Sequence, residues 1–286
     1  MAGAILFEQR NGKIQTSALE YNIVEHCNLK CANCDHASPL LPTTFIPVDT
    51  LKRDLDALEQ VLHTAELKII GGEPLLHPRL LDILAVARST GIADSITVAS
   101  NGMLLHRVGS EFWQAIDRLW LSLYPGVRIV TSMETLETYA ARFGFRLDVF
   151  RMNEFRHTLL YKEIDSGEAV RAVFHSCELP WLNYCHTLRN GRYFKCSPAP
   201  FAADRLHLVG IDYRDTLSDG VAIHNNPDLI GSLLAYLSSK EHLPACRFCL
   251  GSSGRWFAHT QGGDRRGTQG DDWRSLLDWR RVDLVQ

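Results

Sequence analysis

Between residues 19 and 150 short apolar runs alternate with stretches of helical hydrophobic spacing, and this alternation constrains the fold more than any other feature of the chain. The apolar runs cover 19–24, 66–70, 95–99, 118–123 and 145–150. Helical spacing falls between them at 51–63, where Leu51, Leu55, Leu58, Val61 and Leu62 recur, and at 78–90, 111–117 and 133–143. Strands separated by helices pair in parallel. The expected fold is α/β, a partial (β/α)6 TIM-like barrel whose chemistry lies at the carboxyl ends of the strands. Beyond Met152 the rhythm stops. The chain is expected to divide into an N-terminal extension (1–18), the barrel (19–152), a small cysteine-rich C-terminal domain (153–260) and a tail (261–286) with a short helix around Trp273 to Trp279. Within the third part Arg189-Asn190-Gly191 suits a hairpin turn and 227–239 a helix, and the tail from Gly262 to Gly267 reads as mobile.

The first strand runs into three cysteines at Cys27-x3-Cys31-x2-Cys34. A closed zinc site or electron-transfer cluster takes about four protein ligands. A cubane held by three leaves one iron free for a small molecule, and chemistry is expected there. His26 and His36 lie close by, so a zinc site is the alternative. The net charge of -3 gives no basic surface for nucleic acid or an anionic membrane. With neither a leader nor a spanning apolar run in view, a cytoplasmic protein is expected. That compartment keeps thiols reduced, so eight cysteines point to metal ligands or reactive thiols rather than disulfides. The second strand ends in Gly71-Gly72-Glu73-Pro74, where glycines permit close backbone approach and the carboxylate suits a cationic amino group.

The cysteine triplet followed by Gly-Gly-Glu-Pro resembles the radical S-adenosylmethionine superfamily. The resemblance implies that Cys27, Cys31 and Cys34 hold a 4Fe-4S cluster whose open iron chelates S-adenosylmethionine, with Gly71, Gly72, Glu73 and Pro74 lining that cofactor. Ser100 and Asn101 match a ribose or carboxylate contact, and Ser122 with Tyr124 lies at a later strand end. Asn33 stands where family members usually carry an aromatic residue near the adenine. A second group, Cys177, Cys185, Cys196, Cys246 and Cys249, resembles the shortened auxiliary-cluster (twitch) domain of aminoglycoside-tailoring members of the superfamily. It implies a second 4Fe-4S cluster.

A cubane takes about four thiolates and five are present, so one is spare. Either Cys177, Cys196, Cys246 and Cys249 bind and Cys185 is left, or Cys177, Cys185, Cys196 and Cys246 bind and Cys249 is left. A 5'-deoxyadenosyl radical takes hydrogen from carbon. If a free thiol then returns hydrogen from the opposite face, the centre is inverted; if an electron is lost instead, the carbon is oxidised. The expected function is epimerisation of an aminoglycoside-type sugar with Cys249, or failing it Cys185, as hydrogen donor. The alternatives are a dehydrogenase acting on a secondary alcohol of an aminocyclitol and a structural zinc-binding scaffold. A carbohydrate substrate and an external electron donor such as flavodoxin or ferredoxin are the expected partners. Asp35, His36, Glu154, His175 and Glu178 are weaker candidates for substrate contact, and 255–259 for a segment closing over the site.

Overall fold

The computed structural model describes residues 9–181, 185–214, 217–262 and 272–282. Two compact units emerge: Gln9–Asn28 with Pro42–Asn153, and Leu29–Leu41 with the chain from Glu154 onward. The second half of the cysteine loop thus groups with the C-terminal chain, whereas the sequence pattern places it in the barrel.

In the first unit β1 (Gln9–Arg10) folds back on β2 (Lys13–Asn22). β3 (Leu62–Ile70), β4 (Ala93–Ser100), β5 (Arg118–Leu123) and β6 (Arg146–Arg151) follow β2 in one parallel sheet in chain order. Tyr21 pairs with Ile69, Ile69 with Val98, and Val98 with Leu119, so the apolar positions stay in register and are buried together. The connections are α1 (Val48–Glu59), α2 (Leu80–Thr90), α3 (Ser110–Ala115) and α4 (Met133–Phe143). α1 buries Leu51, Leu55 and Leu58, which share one helical face. Gly144, at φ 79°, ends α4 with its N–H on Ala140 O. This is the mixed α/β fold with the partial-barrel type of parallel sheet that the alternation predicts. One departure is at the start, where β2 begins at Lys13 because Asn11 and Gly12, both left-handed, turn β1 back onto it.

In the second unit β7 (Glu154–Arg156) pairs with β11 (Trp256–Ala258), and β8 (Thr187–Arg189), β9 (Arg192–Phe194) and β10 (Val221–Ala222) pair antiparallel in order. Asn190 and Gly191 make the β8–β9 turn at φ 52° and 67°. The helices are α5 (Gly167–Ser176), α6 (Ala202–Leu208), α7 (Leu229–Ser238) and α8 (Trp273–Leu276). The hydrophobic pattern gives no sign of α5 or α6. α5 starts on Gly167 and buries Ala169, Val170 and Val173, small or β-branched residues with a weak helical signal, and Ser166 caps it through the Ala169 N–H. One apolar group joins α5 to Leu250, Trp273 and Leu277, another joins Phe194 and Leu206 to Phe248, and Cys246 packs against both. Among the described residues no helix is long and apolar enough to cross a membrane. Residues 1–8 of the expected extension and 263–267 of the expected mobile tail lie outside the described residues.

Candidate active site

The Gly71-Gly72 pair ends β3 against the chain that enters the cysteine loop. A Cβ on Gly71 would lie 2.5 Å from Val24 O, and one on Gly72 would lie 2.0 Å from His26 O. The Gly72 N–H donates to Val24 O at 2.8 Å and the Glu73 N–H to His26 O at 3.1 Å. Only residues without a side chain let these two backbones meet. Glu73 is fully buried, and its carboxylate accepts from Ser100 Oγ (2.8 Å), Asn101 N–H (2.8 Å) and Leu75 N–H (3.0 Å). Burial pushes its pKa up to about 7 against the pull of those donors. The carboxylate that the sequence offers to a cationic amino group is therefore engaged in fastening the end of β4 to the end of β3.

Asn101 carries the connection onward. Its Nδ2 donates to Asn28 Oδ1 at 2.7 Å and reaches Cys27 Sγ at 3.7 Å. Cys27, Glu73, Ser100 and Asn101 come together in this unit, with Pro74 buried at the start of the turn that follows. Ser122 lies opposite Phe150 on β5, half-buried, with Tyr124 just beyond the strand end.

In the second unit Cys31 and Cys34 lie on a loop zipped to residues 260–262. Ala32 N–H donates to Thr260 O, Gly262 N–H to Lys30 O and Gln261 Nε2 to Cys31 Sγ, at 3.0, 2.9 and 3.5 Å. Burial and then Cys34 push the Cys31 thiol up to about 12, and burial raises Cys34 as well. Asn33 adopts φ 53°, a left-handed conformation that asparagine tolerates, and donates to Arg156 O at 2.6 Å. Burial pushes Asp35 up to about 6 and His36 down to about 4. Arg205, 2% exposed, donates to Cys34 O and to the Tyr161 hydroxyl.

Four of the remaining cysteines group together. α5 delivers Cys177, β9 leads into Cys196, and the turn Pro244–Phe248 carries Cys246, with the Cys249 N–H on Cys246 O. Burial raises the thiol pKa of all four. Cys196 is raised further by Cys249 and Cys177, Cys246 by Cys196 and Cys177, and Cys249 by Cys246 and Cys177. Gly251, at φ 51°, leaves room for Cys177, since a Cβ there would lie 2.5 Å from Sγ. The fifth, Cys185, lies between Leu179, whose carbonyl takes its N–H, and Thr187. None of the eight cysteines is in a disulfide. Among the described residues no three His, Cys, Asp or Glu side chains are closed around a single ion, but a cubane spreads its ligand sulfurs further apart. The donor chemistry suits such a cluster: buried soft thiols crowd together, and binding metal removes protons that burial makes hard to lose.

Of the weaker candidates, Glu178 pairs with Arg281 at 2.5 Å, and Glu154 and 256–258 form the β7–β11 ribbon, where Arg156 lies 3.8 Å over Trp256. His175 is at the end of α5, edge-on to Phe174.

No protein-family model matches the chain. In sequence it is similar to the GTP 3',8-cyclase of Chlorobaculum tepidum, 33% identical over 103 residues that cover 35% of this chain and 31% of that one. It is also similar to molybdenum cofactor biosynthesis protein 1 of Bos taurus, 33% identical over 108 residues that cover 35% and 16%. The chain therefore spans less than a third of the length of these curated relatives. Among solved structures it is similar to BtrN in complex with AdoMet and 2-DOIA, at 15% identity and TM-score 0.49 over 84% of this chain and 95% of that one. In the cysteine triplet, the Gly-Gly-Glu-Pro turn and these partial sequence matches the chain resembles the radical S-adenosylmethionine superfamily, a class that contains many reactions.

Proposed function

We propose that the protein is a radical S-adenosylmethionine dehydrogenase that oxidises a secondary alcohol of an aminocyclitol or related amino sugar. The grouping of Cys177, Cys196, Cys246 and Cys249 carries this reading. Four thiols would complete the ligand set of a second 4Fe-4S cluster, which suits an electron acceptor. S-adenosylmethionine at a 4Fe-4S cluster held by Cys27, Cys31 and Cys34 would supply the radical that takes hydrogen from the carbinol carbon. A 4Fe-4S cluster held by Cys177, Cys196, Cys246 and Cys249 would accept the one electron that the substrate radical gives up, and with loss of the hydroxyl proton to a base the carbinol would become a ketone. Asn101 orients Cys27, and Gly71, Gly72 and Pro74 shape the wall beside it. An external donor such as flavodoxin or ferredoxin returns electrons to the first cluster, and the setting is cytoplasmic.

A second reading, epimerisation, is favoured by one observation. Asp35, next to Cys34, acts on the Cys249 thiol. In this reading Cys249, or failing it Cys185, would return hydrogen to the substrate radical. Aminocyclitols and aminoglycosides deuterated at the carbinol carbon, incubated in water and in deuterated water, separate the two. Dehydrogenation moves the label into 5'-deoxyadenosine and yields a carbonyl. An inverted product that carries solvent deuterium would overturn the dehydrogenase in favour of the epimerase. A colourless zinc protein after anaerobic reconstitution would sink both.

A further inference from the structure

Lys195 directly precedes Cys196 and is 2% exposed. Its Nζ lies 4.6 Å from the ring centre of Tyr236, 5.7 Å from Phe174 and 5.8 Å from Trp181. One of its protons goes to Ser239 O, at the carbonyl end of α7, at 3.3 Å. Burial lowers its pKa, and the thiols of Cys196 and Cys246, the acidic groups that act on it, offset part of that. An ammonium is therefore sheathed in aromatic faces beside the cysteine group.

The sheath is tied to the cysteine segments on two sides. The Lys195 backbone N–H donates to the Tyr236 hydroxyl at 3.0 Å, and that hydroxyl donates to Asp219 O at 2.5 Å. Asp219 Oδ1 in turn accepts the Ala245 N–H, one residue before Cys246, at 2.8 Å. The lysine is thereby fixed in place relative to Cys196 and Cys246. A methionine would fill the same cage without the cost of desolvating an ammonium, so packing alone gives no reason for a charge here.

We propose that Lys195 is a positioning residue whose caged charge makes a cluster held by Cys177, Cys196, Cys246 and Cys249 a better electron acceptor. This rests on the reading of that group as the seat of the second cluster. A cubane with four thiolates is anionic and becomes more so when it takes the electron that the substrate radical gives up. A fixed cation in a low-dielectric surround stabilises the reduced form more than the oxidised one. The substrate side balances, since one electron passes to the cluster and the hydroxyl proton leaves.

The test is an EPR-monitored redox titration of the reconstituted full chain, with iron counted in every sample. At the potential that half-reduces the second cluster of the natural protein, Lys195→Met should lower the reduced-to-oxidised ratio about tenfold, equivalent to about 59 mV for one electron. Lys195→Arg should restore it, and the first cluster's potential should stay unchanged in both. A Lys195→Met protein with full iron and an unshifted second potential overturns the proposal. If that variant does not hold the second cluster, Trp181→Leu loosens the cage and should shift the potential in the same direction by less; no shift there overturns it equally. Iron for a single cluster in the natural protein defeats the underlying reading instead, and the count distinguishes the two failures.

Discussion

Asn101 Nδ2 donates to Asn28 Oδ1 at 2.7 Å and stands 3.7 Å from Cys27 Sγ, while the Asn101 backbone N–H is held by buried Glu73. The first cysteine is thus braced from the end of β4 through one amide side chain.

Asn101→Ala removes that brace without adding bulk. Partners of this kind typically cost about 10–100-fold in metal affinity or activity when lost. The variant should lose iron from the first cluster on gel filtration and cleave S-adenosylmethionine correspondingly more slowly, with the second cluster's iron retained. Iron retention equal to the natural protein would show that Asn28 and Cys27 hold their places unaided.

Glu73 gives stability a pH dependence of defined sign. Its pKa rises from 4.5 to about 7 on folding, so between those values the folded chain binds more protons than the unfolded chain. The favourable contribution is complete below about pH 4.5 and is lost as pH rises through about 7, a change of about 3 kcal/mol. Urea denaturation of the metal-free chain should therefore show stability falling across this window. Glu73→Gln should flatten that fall, at a constant cost of about 1–3 kcal/mol for the acceptor it loses.

The parallel sheet is legible because apolar runs and helical spacing alternate locally; Arg118–Leu123 and Met133–Phe143 agree with the pattern at both ends. What stays hidden depends on distant partners. Glu73 is expected from the sequence to meet a cationic amino group, and its partners Ser100 and Asn101, which the local sequence does not reveal, lie 27 and 28 residues away. The Lys195 cage draws on Phe174, Trp181 and Tyr236, which share no spacing. The Asn11-Gly12 turn is a local signal of a hairpin, and it lies in a stretch that otherwise shows no hydrophobic pattern.

The role of Cys249 is open to an iron count. As one of the four grouped thiols, raised by Cys246 and Cys177 after burial, it should be a ligand, so Cys249→Ala should lose most of the iron of one cubane, about four atoms per chain. The EPR signal of the first cluster should remain. Retention of both clusters, with ketone formation unchanged, would remove Cys249 from the ligand set; retention with loss of epimerised product would assign it to hydrogen return.

Two glycine substitutions should separate the two metal groups. At Gly72 an added Cβ meets the backbone of His26 and Cys27, at 2.0 Å from His26 O and 2.8 Å from Cys27 N, and backbone cannot swing aside as a side chain can. Gly72→Ala should therefore displace the strand end that enters the triplet and cost about 1–3 kcal/mol, in the range of an overpacked core, together with the first cluster. At Gly251 the obstacle is the Cys177 thiol at 2.5 Å, and the left-handed backbone adds about 1–2 kcal/mol for a residue with a Cβ. Because a thiol can rotate, Gly251→Ala should fold while it turns Cys177 away from Cys196, Cys246 and Cys249. Its iron loss should fall on the second cluster alone. Opposite patterns of loss in the two variants, read by iron count and EPR, are the expected result; loss of the same cluster in both would mean that the two cysteine groups do not bind metal independently.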